Sequence, residues 1–200
     1  MRVISGTAKG RPLKAVPGTG TRPTTDKVKE AVFSMIGPYF DGGRALDLFA
    51  GTGGLGIEAL SRGMEQAVFV DKDSKSIEVI RENLKTAKVE GKAEVYRNEA
   101  VRALKALAKR EVRFDLVFLD PPYRMKDMDA LMLLMKEQRL LNDGATVMIE
   151  HDSSHTYPEE AGSFHTVKHS VYGETAITVY RYNEEDGDNE ELTQDEEDQA

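Results

Sequence analysis

The sequence contains no cysteine. That excludes disulfides, thiolate metal sites and cysteine nucleophiles, and it fits a reducing cytoplasm. No apolar run approaches the length of a membrane span. The opening MRVISGTAKGRPLK has no apolar core of the kind a secretory signal carries, so none is expected. Basic residues are missing from the stretch after Asn183, which holds ten acids and no Lys or Arg. Removing those ten charges from the net −8 leaves a body of +2. The tail reads as solvated and disordered.

Basic residues gather instead at the other end. Arg2, Lys9, Arg11, Lys14, Arg22, Lys27 and Lys29 face only Asp26 and Glu30 over the first thirty residues. A basic segment of this kind suggests a polyanion partner. The length, 200 residues, suits one ordinary domain with a real core.

The organising stretch is Phe114 to Tyr123, FDLVFLDPPY. Leu116, Val117, Phe118 and Leu119 form an apolar run too short for a free-standing helix and suited to a strand covered on both faces. Asp120-Pro121-Pro122-Tyr123 then stops it, because consecutive prolines continue neither strand nor helix. What remains is a carboxylate, two carbonyls with no adjacent N–H and an aromatic ring. In an open parallel sheet the carboxyl ends of strands are where ligands bind. Acceptors beside a flat ring suit the exocyclic amine of a nucleobase.

Strand and helix patterns alternate around this stretch. Arg2–Ser5 and Arg11–Val16 read as a hairpin. A helix capped by Thr25 or Asp26 would bury Val28, Ala31, Val32, Met35 and Ile36, leaving Lys27, Lys29 and Glu30 wet, and Gly37-Pro38 ends it. Strands are expected at 44–49, 66–70, 93–97, 114–119 and 145–150, with one helix growing out of Gly51–Gly56 and running to about Arg62, one capped by Asp73 or Ser74, and others at 100–110 and 129–140. The helix capped by Asp73 or Ser74 would turn Ile77, Ile80, Leu84 and Ala87 inward, and that at 100–110 Ala103, Leu104 and Leu107. Ser163–Val171 and Thr175–Tyr182 pair as a closing hairpin around Gly173-Glu174. The fold class is therefore α/β, a sheet with an antiparallel edge. Three segments are expected: an N-terminal extension at 1–40, the main domain at 41–182 and the acidic tail at 183–200.

A second motif runs from Asp47 to Gly56, DLFAGTGGLG. Glycines let a ligand approach the backbone, and a helix N-terminus offers free N–H groups. Gly51-x-Gly53-x-x-Gly56 matches a dinucleotide fingerprint, and Asp71 stands where a ribose-binding acid would. This motif alone does not separate NAD from S-adenosylmethionine. Asp47, before the glycines, can face a cationic amino-acid moiety, or it can pair locally. Asn98 and Glu99 end the third strand, where they could hydrogen-bond an adenine edge. His151 and His155, like His165 and His169, are spaced as a helical zinc pair would be. They fall in strand or loop, where that spacing does not converge, and no metal is expected.

The combination of LDLFAGTGGLGIEALSRG with FDLVFLDPPY resembles the amino-group methyltransferases that carry a [D/N]PP[Y/F] motif. RVISGTAKGRPLKAVPGTGTRPTTDKVKEAVFSMI and the closing YGETAITVYRY resemble one branch, the RsmD-like guanine-N2 methyltransferases of bacterial small-subunit ribosomal RNA. The resemblance runs from Arg2 to about Tyr182. It implies a Rossmann-like class I methyltransferase sheet with a small N-terminal β/α extension, S-adenosyl-L-methionine as cofactor, and 16S rRNA, the small subunit or an assembly intermediate as partner. A cytoplasmic monomer needing no metal is expected. Asp120, Pro121, Pro122 and Tyr123 would form the catalytic motif. Asp47, Phe49, Gly51, Gly53, Asp71, Asn98 and Glu99 would hold the cofactor. Arg2, Lys9, Arg11, Lys14, Arg22, Lys27 and Lys29 would contact RNA, with closure of Arg22 and Thr24 over the cofactor as the alternative. One departure is Asn98-Glu99-Ala100, where Asp-Ala or Asn-Ala is usual. The rival readings are a DNA adenine-N6 methyltransferase, an NAD-dependent oxidoreductase, and a non-catalytic RNA-binding or ribosome-assembly protein.

Overall fold

A computed structural model describes residues 1–18, 25–122 and 125–184 of the chain. Arg22, Thr24, Tyr123 and the acidic tail beyond Glu184 lie outside the described residues. The chain runs α1 (Asp26–Ile36), β1 (Arg44–Asp47), α2 (Gly54–Ser61), β2 (Gln66–Asp71), α3 (Ser74–Ala87), β3 (Ala93–Arg97), α4 (Ala100–Ala108) and β4 (Phe114–Leu119). It continues with α5 (Met128–Glu137), β5 (Leu141–Asp152), β6 (Glu160–Ala161), β7 (Phe164–Tyr172) and β8 (Thr175–Tyr182). One sheet carries the strands in the order β3-β2-β1-β4-β5-β8-β7-β6. Strands β1 to β5 are parallel, while β8 runs antiparallel to β5 and β7 antiparallel to β8. This is the expected α/β sheet with its antiparallel closing hairpin.

The alternation of each central strand divides the core in two. Ala45, Phe69, Phe118 and Met148 face α1, α2 and α3, whereas Leu46, Val68, Val117 and Ile149 face α4 and α5. Helix α3 buries Ile77, Ile80, Leu84 and Ala87, and α4 buries Ala103, Leu104 and Leu107, as their spacing demands. Gly56 marks how closely α2 lies on the sheet. A Cβ there would stand 2.4 Å from the Phe69 ring, so only glycine fits.

Several boundaries differ from the sequence expectation. β1 stops at Asp47, because Phe49 already belongs to the turn. β5 runs on through His151 and Asp152, because pairing with β8 continues past the end of its pairing with β4. The N-terminal hairpin is reduced to a single bridge, Arg2 with Pro12, closed by Val3 N–H to Arg11 O at 3.0 Å. Its partners are mostly elsewhere: this arm lies on α2 rather than in a sheet.

The docking of that arm corrects the reading of α1. Thr25 caps the helix as expected, its side chain accepting from Val28 N–H. The fully buried residues, however, are Lys29, Val32 and Phe33, with Val28, Met35 and Ile36 at the margin. Lys29 is therefore neither wet nor available to RNA. Its ammonium lies 3.3 Å from Glu58 of α2, whose side chain is fully buried, and it also donates to the Arg2 carbonyl. Burial pulls the Lys29 ammonium below its usual range, and the Glu58 charge opposes that pull. The period of an amphipathic helix cannot show that a lysine on the inner side has a carboxylate waiting for it.

Glu58 collects four donors from three segments. Ile4 N–H and Ser5 N–H donate at 2.9 Å, Arg62 Nε donates at 2.9 Å, and Lys29 completes the set. The Arg62 guanidinium also lies 4.7 Å above the Phe33 ring. Ser61 adds a second clamp, donating to Ser5 O at 2.6 Å and accepting from Ala8 N–H at 2.9 Å. Replacing Glu58 by Gln leaves Lys29 a buried charge without its counter-charge. The expected cost is about 3 to 5 kcal/mol, a fall in Tm of roughly 10 °C. Thermal denaturation of Glu58→Gln measures it, and an unchanged Tm would rule out this anchoring role.

Candidate active site

The strand order places a crevice between β1 and β4, where the connections leave in opposite directions. The glycine loop leaves β1 there, and the Asp-Pro-Pro turn leaves β4. Asp47 pairs with Phe118 in register, so Asp120 stands two residues beyond it on the neighbouring strand.

The loop is held by its own backbone and by two acids. Ala50 N–H donates to Val70 O at 2.9 Å and Gly53 N–H to Ala50 O at 2.7 Å. Gly51 and Gly53 have φ of 56° and 78°, in the left-handed region that favours glycine. A Cβ on Gly51 would meet nothing within 4 Å, so the loop presents open backbone to the crevice. Asp71 ties the loop to β2, its two oxygens accepting from Gly51 N–H at 2.8 Å and Asp73 N–H at 2.9 Å. Each oxygen keeps a lone pair for a hydroxyl. Phe49 is half-buried against the α4 and α5 side of the core.

Asn98 and Glu99 sit at the end of β3. The Asn98 side chain accepts from Glu99 N–H at 2.9 Å, while Glu99 is exposed at the start of α4. Pro121 is buried and Pro122 exposed. The Pro122 carbonyl already accepts from Met125 N–H at 2.9 Å, closing the turn. Of the two carbonyls expected to be available, that of Pro122 is therefore already engaged.

Four carboxyl groups line the crevice edge on one side of the sheet. Asp47, Asp71, Asp120 and Glu150 follow Ala45, Phe69, Phe118 and Met148 by two residues on adjacent strands. Burial pushes the Asp47 carboxyl up to about 7, with the charges of Asp120 and Asp71 adding to it and the 3.0 Å bond from Gly56 N–H opposing it. Glu150 is pushed up to about 8, first by burial and then by Asp120. An edge of this kind repels a pyrophosphate and attracts a cation. The local pairing of Asp47 with Gly56 and a role toward a cationic ligand are thus compatible.

Asn83 is a site residue that motif reading missed. It is buried in α3 and donates to Thr52 O at 2.9 Å and Lys14 O at 3.0 Å, while accepting from Lys14 N–H at 2.8 Å. It joins the glycine loop to the N-terminal arm. Its only sequence signal is an amide on the apolar side of a helix, next to Leu84. The remaining basic residues differ in availability. Lys9 and Lys27 are exposed, Arg2 pairs with Asp26 at 3.1 Å, Lys14 pairs with Glu82 at 2.8 Å, and Arg11 donates to Thr86 O at 3.2 Å. The histidines also gather more than their spacing suggested. His151 lies 6.2 Å from His155 and 6.1 Å from His169, ring centre to ring centre. Among the described residues no group of three or more metal-ligating side chains is placed to hold an ion. No helix among them is long and apolar enough to cross a membrane.

The raised carboxyl of Asp47 makes the ligand-free fold pH-sensitive. The folded chain keeps a proton that the unfolded chain loses near 3.8. Its stabilising contribution is present below that value and is lost as pH rises through about 7. Between about pH 4 and about pH 7, urea denaturation should therefore show the stability of the native chain falling relative to that of Asp47→Asn, with the contributions of the other carboxyls, Glu150 included, common to both. An equal slope in both proteins would contradict the assignment.

Comparison with known proteins identifies the fold and the family. The family described as Conserved hypothetical protein 95 matches residues 1–181. YlbH of Bacillus subtilis, named provisionally as an rRNA methyltransferase, is 55% identical over 181 residues, covering 90% of this chain and 98% of YlbH. Ribosomal RNA small subunit methyltransferase D of Escherichia coli K12 is 32% identical over 181 residues, covering 90% of this chain and 89% of that protein. Among solved structures, yhhF of Escherichia coli, named provisionally as a methyltransferase, superposes with a TM-score of 0.77 at 32% identity, covering 92% of this chain and 98% of that one. The sheet is thus that of the class I methyltransferases, and the chain belongs to the Conserved hypothetical protein 95 family, the RsmD-like proteins.

Proposed function

We propose that this chain transfers a methyl group from S-adenosyl-L-methionine to the exocyclic N2 amine of a guanine in 16S rRNA. The observation that carries the reading is the placement of Asp120-Pro121-Pro122 beside the glycine loop, on the two strands that flank the crevice. The family relatives named for small-subunit rRNA methylation support the substrate.

The residues present fit the cofactor. The open backbone at Gly51 leaves room for the methionine part, and Asp47 offers a carboxyl to its ammonium. Asp71, whose oxygens each accept one backbone N–H, would hold the ribose hydroxyls, and Asn98 or Glu99 would hold the adenine. S-adenosylmethionine, when bound, supplies a methyl on a sulfonium, an electrophile that needs only a correctly placed nucleophile.

The chain's own residues must supply that placement. A guanine N2 lone pair is delocalised into the ring, so the amine is a poor nucleophile. Asp120 accepts one N–H of the amine and the Pro121 carbonyl the other, which favours a tetrahedral nitrogen. Positive charge grows on nitrogen during transfer, so these acceptors stabilise the transition state more than the ground state. Proline has no N–H of its own to compete for the same acceptors. Asp120 then takes the departing proton or passes it to water. Tyr123 is assigned the stacking partner of a base drawn out of its loop or helix. Lys9, Lys27, Arg2, Arg11 and Lys14 are assigned to RNA phosphates, with binding that weakens as salt rises.

Small subunits and bare 16S rRNA from cells lacking this gene, incubated with labelled cofactor, should yield N2-methylguanosine by mass. Asp120→Ala, which removes the acceptor, should lower kcat by about 10² to 10³ while leaving cofactor binding intact. N6-methyladenine formed in DNA instead would overturn the substrate. Full activity of the Ala variant would overturn the mechanism. Cofactor affinity should rise with pH up to about 7, as Asp47 loses its proton, and Asp47→Asn should abolish that rise. Calorimetric titration across that range reads it directly.

A further inference from the structure

Glu150 is the one carboxyl of the crevice edge to which the mechanism above gives no task. It lies one residue beyond Ile149, which pairs in register with Leu119, so its strand position adjoins that of Asp120. It lines a narrow cleft with Pro121, Met125, Lys126, His151, Asp152, His155 and Tyr157. Its Oε2 is buried and has no hydrogen-bond partner. A buried acceptor without a donor costs stability, and such an atom is expected where its partner arrives with the substrate.

The donor that would complete it follows from the chemistry of a base seated at Asp120. In guanine the N2 amine is flanked on the Watson–Crick edge by N1–H, a second donor. In adenine the N6 amine is flanked there by N1 as a bare lone pair. A pair of carboxyl groups side by side matches the first edge and repels the second. We propose that Glu150 selects the base: its Oε2 accepts the N1–H that guanine, and not adenine, presents beside the amine held by Asp120. The inference rests on the reading of Asp120 given above and adds the residue that makes the site specific for guanine.

The neighbourhood of Glu150 supports a group that responds to its ligand. Asp120 faces it from the end of β4, and Lys126, His155 and Tyr157 line the cleft from the adjoining loops. His151 and Asp152 flank it on β5, and apolar Ile177 pairs with it from β8. With burial and Asp120 pushing its carboxyl up to about 8, Glu150 gains most from a donor that favours the ionised form. Ionised, it can only accept. Protonated, it can also donate, and its discrimination between N1–H and a lone pair is weaker.

The test uses RNA with guanine or 2-aminopurine at the methylated position, after the wild-type enzyme has mapped that position. 2-Aminopurine keeps the reactive amine and replaces N1–H by a lone pair. Competition between the two substrates gives the ratio of their kcat/KM values, which does not depend on how much enzyme is folded. The wild type should prefer guanine by at least about tenfold, and more strongly as pH rises through about 8. Glutamine offers both N–H and C=O, so Glu150→Gln should lower the ratio by at least about tenfold relative to the wild type and remove its dependence on pH. 2-Aminopurine also lacks O6, but that loss is common to both enzymes and cancels in the comparison. Glu150→Ala gives the same reading if the Gln variant does not fold.

A wild type indifferent to the two bases overturns the inference. So do variants that keep the wild-type ratio, including variants that lose both substrates equally. A wild type that methylates no RNA guanine at all brings down the Asp120 reading itself, and this inference with it.

Discussion

The buried carboxylate of Glu58 is the constraint on which the N-terminal third depends. A short arm with one bridge and no extended pairing has little to hold it in place. Its backbone N–H groups at Ile4 and Ser5 must find acceptors, and Glu58 supplies both. That carboxylate is itself affordable only because Lys29 and Arg62 stand beside it. The arm, α1 and α2 are therefore fixed as one unit, on the same side of the sheet as the crevice carboxyls. Gly6 shows how tight the fit is, since a Cβ there would fall 1.8 Å from the Ser61 carbonyl oxygen.

This clamp links the basic segment to the site. Asn83 bridges Lys14 and Thr52, so the arm that carries Lys9, Arg11 and Lys14 is joined through one side chain to the glycine loop. An arm placed in this way can present cations to a polyanion without those cations entering the crevice. The crevice edge keeps the opposite sign. Four carboxyls on adjacent strand ends, two of them pushed toward or above neutral pH, form a local field that rewards a cationic ligand. The protein thus gives the two electrostatic tasks to different parts, cations to the arm and carboxyls to the strand ends.

Most of the architecture was legible in the sequence, and the reasons are local. Alternating apolar runs closed by glycine and proline mark strands, and a 3.6-residue period marks α3 and α4. The Asp-Pro-Pro turn and the glycine loop were legible because each imposes a backbone that few other residues can adopt. Helix α1 was legible as a helix but not as a packing surface. Lys29 counts as polar in any periodic pattern, and only Glu58, twenty-nine residues on, turns it into a core residue. Asn83 was hidden for the same reason.

By itself, then, the sequence determined the order of strands and helices, the two motifs and their spacing, because these follow from dihedral preference and periodicity along a short stretch of chain. Only the tertiary structure decided which charges are buried and which are free. It decided that Lys29 is an anchor, that the Pro122 carbonyl is already engaged, and that Glu150 stands beside Asp120 with an oxygen lacking a donor. Those outcomes depend on desolvation and on partners far away in the chain, and neither is a property of any local segment.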